Sequence, residues 1–237
     1  MTVSAIAESC TPVILTATGI FGPAPPAGAV VEVFLARTCR NGSVKVIIGD
    51  MAKCECDVMV TGANNRLSGR EGVDAKLHTA AGEDLRLACR DIAAEQRKTN
   101  LQPCPVGTAV ETAAFALPAK TLIHVVGPDC RRPNQDEGRR ALLKQAYEAL
   151  FEKLTEKKKI KKLVMPALSM DIFAYPHREG ARMTMEIILG WMDSEDGIPI
   201  EEFQIVTQEM NFINNLRTIY RESEDQFAGH DSTREFR

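Results

Sequence analysis

An α/β domain built on a largely parallel, helix-covered sheet is the fold class that the sequence predicts, and three observations carry it. Short β-branched or apolar runs of strand length recur at residues 30–35, 44–48, 58–60, 109–115, 122–126, 163–168 and 203–206. Stretches with helical spacing lie between most of them, the alternation that sets parallel strands side by side under crossover helices. With 237 residues, 44% of them hydrophobic and 26% charged, the chain can fill one sizeable core, and wholesale disorder is excluded.

Residues 1–28 close on Gly22-Pro23-Ala24-Pro25-Pro26-Ala27-Gly28, which breaks helix and strand alike and reads as a linker. The folded domain is therefore expected over 29–221. Asn41-Gly42 between the first two runs is a hairpin signal, so an antiparallel pair opens the sheet. A helix is expected to open near Val73. The clearest helix spans about 137–156, where Leu142, Leu143, Ala146, Tyr147, Leu150, Phe151 and Leu154 form one core-facing stripe. Lys157-Lys158-Lys159-Ile160-Lys161-Lys162 follows it and is expected as a solvated C-terminal cap, because cations stabilise that end of a helix. A nucleic-acid patch is the competing reading of that run. Residues 222–237 are polar, lack apolar periodicity and read as a loose tail.

The formal net charge of -3 gives no overall field to draw nucleic acid or an anionic membrane, so an anion must be held by local geometry. The seven cysteines are odd in number and scattered, which fits reduced thiols better than a disulfide framework. Cys54 and Cys56 are one residue apart, short of zinc-knuckle spacing, so no metal is expected. No Lys or Arg precedes Arg37 and no run reaches membrane-spanning length, so neither a secretory leader nor a membrane partner is expected. The expected place of action is the cytoplasm, including that of a host cell reached by a signal-independent route.

Three segments combine a strand with a loop rich in small residues, where open α/β sheets place a ligand crevice. The first ends in Gly49-Asp50-Met51. The second is Val58-Met59-Val60-Thr61-Gly62-Ala63-Asn64-Asn65-Arg66-Leu67-Ser68-Gly69-Arg70-Glu71-Gly72-Val73-Asp74, whose backbone N–H groups at a helix start suit a diphosphate. The third is Leu163-Val164-Met165-Pro166-Ala167-Leu168-Ser169-Met170-Asp171-Ile172-Phe173-Ala174-Tyr175-Pro176. Taken alone, Asp50 and Asn64 are turn formers and Asp74 is a first-turn helix carboxylate. His78, four residues after Asp74, either orients that carboxylate or is a packed core histidine, and His124 on an apolar strand reads as core.

In this order the segments resemble the macrodomain family of ADP-ribose-binding modules, whose pattern joins Gly-Asp-Ile-Thr, Asn-Ala-Ala-Asn and a Gly-Gly-Val-Asp loop. Further matches are Ala80-Ala81-Gly82 with Leu85 and Cys89, Cys104-Pro105-Val106-Gly107-Thr108-Ala109 with Thr112, and Leu117-Pro118-Ala119-Lys120 leading to Ile123-His124-Val125-Val126-Gly127-Pro128. The resemblance runs from about residue 44 to 212. It implies a three-layer α/β/α sandwich around a mixed, mostly parallel sheet. It implies Asp50 on the adenine amino group, with Asn64 and Asp74 at the distal ribose as the catalytic pair. It places Met51, Ala63, Gly69, Gly72, Val73, Ser169, Met170, Asp171, Ile172, Phe173 and Ala174 around the ligand. The implied activity is hydrolysis of mono-ADP-ribose from acidic side chains, or deacylation of O-acyl-ADP-ribose, by a monomer without metal or organic cofactor. Its partner is ADP-ribose or an ADP-ribosylated protein.

The departures are concentrated in the loops. The family's first Asn is Thr61 here, the glycine run is Gly69-Arg70-Glu71-Gly72, and both glycines of the phosphate loop are replaced, by Asp171 and Ala174. A left-handed backbone at Asp171, with its added negative charge, is the expected obstacle to diphosphate binding. Two rivals remain open: a non-catalytic reader of ADP-ribosylated proteins, and a diverged domain that binds RNA or another partner through the 157–162 lysines.

Overall fold

The computed structural model describes residues 32–131, 138–157 and 159–222. The expected domain start at 29, the linker before it and the tail beyond Glu222 lie outside the described residues.

The elements follow the expected alternation. β1 (Glu32–Cys39) and β2 (Gly42–Ile48) pair antiparallel around Asn41-Gly42, as the hairpin signal predicts. β3 (Cys56–Gly62) leads to α1 (Gly72–Ala81) and α2 (Glu83–Lys98); β4 (Ala109–Ala113) and β5 (Ala119–Val125) come next. The chain then runs through α3 (Arg139–Thr155), β6 (Ile160–Met165), α4 (His177–Asp193), β7 (Ile200–Thr207) and α5 (Met210–Glu222). The seven strands form one sheet in the order β1-β2-β7-β6-β3-β5-β4, antiparallel at its two ends and parallel between.

Successive strand side chains point to opposite faces, so each central strand feeds two cores. Val58 and Val60 of β3 enter a cluster with the buried faces of α3, α4 and α5, whereas Met59 enters a second cluster with Leu77 of α1 and Leu85 of α2. The result is the three-layer α/β/α sandwich around a mixed, mostly parallel sheet.

The 157–162 lysine run is divided rather than gathered into a helix cap. Ile160 is fully buried as the first residue of β6, and Lys157 pairs with Glu111 of β4 at 2.5 Å. The backbone N–H groups of Lys161 and Lys162 donate to Asp57 Oδ2 at 2.7 and 3.1 Å, which ties the start of β6 to β3. Lys120 Nζ donates to the other oxygen of Asp57 at 2.6 Å, and these bonds hold the Asp57 carboxyl below its ordinary pKa. Sequence periodicity does not register this because the anchoring carboxylate is about a hundred residues away in the chain.

Candidate functional site

The central parallel strands deliver their C-terminal ends to one edge of the sheet, and a cleft opens there. Gly62, Ala63, Asn64, Glu71, Gly72, Val73 and Asp74 line one wall; Gly127, Pro166, Ala167, Ser169, Asp171, Ile172 and Phe173 line the other. Nine residues singled out from sequence meet in this cleft: Ala63, Asn64, Gly72, Val73, Asp74, Ser169, Asp171, Ile172 and Phe173.

Asp74 sits one helical turn or less from the N-terminus of α1 and is buried, 4% exposed. Its Oδ1 accepts from Thr61 Oγ1 at 2.9 Å, and the Gly69 backbone N–H also donates to the carboxylate. Thr61, the departure noted in sequence, is thus a fully buried donor to the central carboxylate. Burial raises the Asp74 pKa to about 6, while the bonds from Thr61 and Gly69 oppose the rise. The carboxyl therefore changes protonation near neutral pH, where a group that exchanges protons with bound water is useful.

Asn64 closes a tight turn. Its Oδ1 accepts from the N–H groups of Arg66 and Ser68 at 3.0 and 3.2 Å, and its Nδ2 donates to Ser68 Oγ at 2.6 Å. An amide nitrogen carries two hydrogens, so one N–H of Asn64 is left for a ligand in the cleft. Asn64 thus forms the turn and still offers a donor to the cleft.

Gly69, φ 57°, lies over the His78 ring, with which a Cβ at that position would collide. This close approach lets the 64–72 loop reach Asp74. His78 is 1% exposed, its Nε2 lies 3.7 Å from Asp74 Oδ1, and neither ring nitrogen has a hydrogen-bond partner. It is packed beside the carboxylate rather than bonded to it. Burial first, then the charge of Arg86, holds its pKa below the ordinary value, so it stays neutral.

The opposite loop carries the largest difference from expectation. Asp171 does not adopt a left-handed backbone; among the described residues of this loop, Ser169 (φ 64°) and Ala174 (φ 50°) do. The strain is displaced by a turn in which the Ala174 N–H donates to the Asp171 carbonyl at 3.1 Å. The Asp171 side chain faces across the cleft: its Oδ2 lies 2.6 Å from where a Cβ on Gly72 would stand, and Ile172 reaches the same place. A carboxylate thus stands at the first residue of α1, the end of a helix that attracts anions. The cleft between the loops has a volume of about 60 Å³.

Five residues named from sequence stand outside the cleft lining. Asp50 caps a short helical turn over Met51–Lys53, accepting from the Ala52 N–H at 3.2 Å with Lys53 Nζ 3.7 Å away. Met51 is buried in the α1–α2 core, and Met170 is buried against Gly180. Gly69 and Ala174 shape the loops without lining the cleft. Sequence reasoning missed Glu71, Gly127 and Arg131 as site residues. Gly127 admits the Ser169 hydroxyl, which a Cβ there would strike. Arg131 bonds Glu71 at 3.1 Å and Asp129 at 2.6 Å, with its guanidinium 5.3 Å from the Phe173 ring centre, so it joins the two walls. Gly127 was visible in the Val126-Gly127-Pro128 match; Arg131 had no sequence signal.

For a metal, the described residues offer one grouping: one nitrogen each of His78 and His124 and the Cys89 sulfur lie within 4.8 Å of one another. Burial pushes the Cys89 thiol up to about 12, with the Asp74 charge adding to the rise, and holds His124 down to about 3. His124 Nε2 lies 3.1 Å from Thr112 Oγ1. This is a neutral buried cluster in which a metal must first displace a tightly held thiol proton.

The family model described as Macro domain matches residues 60–184. The chain is 33% identical over 154 residues to "ADP-ribose glycohydrolase MACROD1" of Rattus norvegicus, covering 65% of this chain and 55% of that protein. It is 32% identical over 173 residues to "O-acetyl-ADP-ribose deacetylase" of Cronobacter turicensis, covering 73% of this chain and 93% of that relative. The chain therefore spans about half of the rat relative and nearly all of the bacterial one. Among solved structures, the Oceanobacillus iheyensis macrodomain with ADP superposes with a TM-score of 0.67 at 25% identity, covering 79% of this chain and 96% of that one.

Proposed function

Since the chain belongs to the Macro domain family, we propose that it binds ADP-ribose across this cleft and hydrolyses mono-ADP-ribose from acidic side chains or deacylates O-acyl-ADP-ribose. The observation that carries the reading is Asp74: a buried carboxylate with its pKa raised to about 6, lining the cleft beside Asn64. Above that pH it is ionised, and it can orient a water and take a proton from it as the water attacks the ester carbonyl; the C–O bond to the ribose then breaks, and the ribose oxygen leaves as a hydroxyl carrying that proton. The remaining Asn64 N–H fixes a ribose hydroxyl without adding charge beside the diphosphate. The N–H groups at the start of α1 face the diphosphate, and Asp50 accepts from the adenine amino group. The proposed place of action is a reducing cytoplasm, which suits seven cysteines scattered along the chain, and the proposed working state is a monomer.

The cleft volume of about 60 Å³ is far below the roughly 300–1,000 Å³ of sites that enclose a drug-sized ligand. Occupation requires Asp171 and Ile172 to leave Gly72. That closure favours, as the second reading, a reader that binds weakly and does not turn over. Hydrolysis of mono-ADP-ribosylated protein and of O-acetyl-ADP-ribose by the wild type, compared with Asp74→Asn, decides between them: turnover lost in the variant supports the enzyme, and an inactive wild type that still binds ADP-ribose supports the reader.

A further inference from the structure

Behind the 64–72 loop, on the side of α2, lies a second cavity of about 430 Å³. Five arginines surround it, Arg66 and Arg70 from the loop and Arg86, Arg90 and Arg97 from α2, and among the described residues no carboxylate lines it. In a chain with 29 basic and 32 acidic residues, this is a local concentration of charge that the overall balance does not require. The spacing of Arg86, Arg90 and Arg97, four and then seven residues, sets them on one stripe of α2, with buried Ala93 between them leaving room at the floor.

The charge is little compensated. Glu83 lies 3.8 Å from Arg86 and 3.4 Å from Arg90. Among the described residues, the guanidiniums of Arg66, Arg70 and Arg97 have no ion pair. An independent feature points the same way: His78 lines this cavity and is 1% exposed, and although its Nε2 lies 3.7 Å from Asp74 Oδ1, neither ring nitrogen has a hydrogen-bond partner. A neutral imidazole keeps one N–H to donate.

We propose that this cavity is a second anion site, distinct from the ADP-ribose cleft, for a ligand with two or more linked phosphates. Guanidinium forks match carboxylate and phosphate alike. Five of them around one cavity, however, exceed what a single carboxylate with two oxygens can engage, whereas two or more linked phosphates offer at least four non-bridging oxygens. The volume also exceeds that of one phosphate and falls in the range that holds a nucleotide-sized ligand, roughly 300–1,000 Å³.

The test is calorimetry of the full chain with tripolyphosphate, with and without saturating ADP-ribose, at physiological salt. The expected result is one tripolyphosphate per chain in both conditions, weakened at least about tenfold in the Arg90→Gln/Arg97→Gln double variant, with ADP-ribose affinity unchanged. Both positions lie on an exposed helix face and glutamine is a good helix former, and Arg66→Gln on the loop provides an independent variant. A single-stranded oligonucleotide that displaces the tripolyphosphate identifies a phosphodiester chain as the source; failure to displace it identifies a free phosphoanhydride. Absence of binding, loss of binding when ADP-ribose is present, affinity unchanged in all the variants, or equally tight binding of a hexaglutamate peptide would each overturn the proposal.

Discussion

Replacing Asp171 by glycine is expected to tighten ADP-ribose binding about tenfold, because the side chain stands where the diphosphate is proposed to lie. Its Oδ2 is 2.6 Å from a Cβ position on Gly72, the first residue of α1. At ~4 Å, a carboxylate repels each phosphate charge by ~1 kcal/mol in water and by ~4 kcal/mol in a partly shielded cleft. Asp171 is exposed, so the lower end applies, and about 1.4 kcal/mol corresponds to a tenfold change in Kd. Asp171→Asn keeps the bulk and removes the charge, so it is expected to recover only part of the gain. Without ligand, both variants lose the favourable placement of a carboxylate at a helix N-terminus, roughly 0.3–1 kcal/mol, and their melting temperatures should fall slightly. Calorimetry at two salt concentrations reads the affinity, and the gain should shrink at high salt as the charges are screened. Weaker binding in Asp171→Gly, or wild-type affinity in both variants, would refute the reasoning.

The other expectations concern the carboxylate and the loops around it. Turnover should rise with pH to a plateau with a midpoint near the Asp74 pKa of about 6, and Asp74→Asn should abolish that rise while changing ADP-ribose affinity much less. The same shift acts on stability with a definite sign. Folding raises the Asp74 pKa from 3.8, so its contribution is fully present below that value and is lost as pH rises through about 6. Asp74→Asn should therefore melt above the wild type at pH 8, by up to roughly 3 kcal/mol from a shift of about two units, with the gap closing toward pH 4. Thr61→Val removes the donor that holds the Asp74 pKa down, and the activity midpoint should move upward. Ala174→Gly relieves a left-handed residue worth about 1–2 kcal/mol against an added chain entropy of about 0.5–1 kcal/mol, so denaturation should show a net gain of roughly 0.5–1 kcal/mol. Asp50→Ala should weaken ADP-ribose binding roughly tenfold or more by removing a charged acceptor, and destabilise the chain by about 1 kcal/mol through loss of its cap bond to Ala52.

The sequence by itself determined what depends on local pattern. Strand and helix periodicities give the element order, Asn41-Gly42 gives the opening hairpin, and the ordered loop motifs bring nine of the fourteen named site residues to one cleft. These features are legible because a hydrogen-bonding period or a turn geometry constrains neighbouring residues. The tertiary structure decided what depends on residues distant in the chain. Lys161 and Lys162 read as a helix cap until Asp57 captures their backbone N–H groups and makes them the start of β6. Asp171 reads as a strained glycine substitute until a turn moves the left-handed residues to Ser169 and Ala174 and brings its carboxylate against Gly72. Arg131 carries no motif and becomes part of the site only because Glu71 and Phe173 lie on either side of it. Burial acts in the same way on Asp74: its acidity is set by solvent excluded through packing and by donors from Thr61 and Gly69, and only their assembled positions fix the balance.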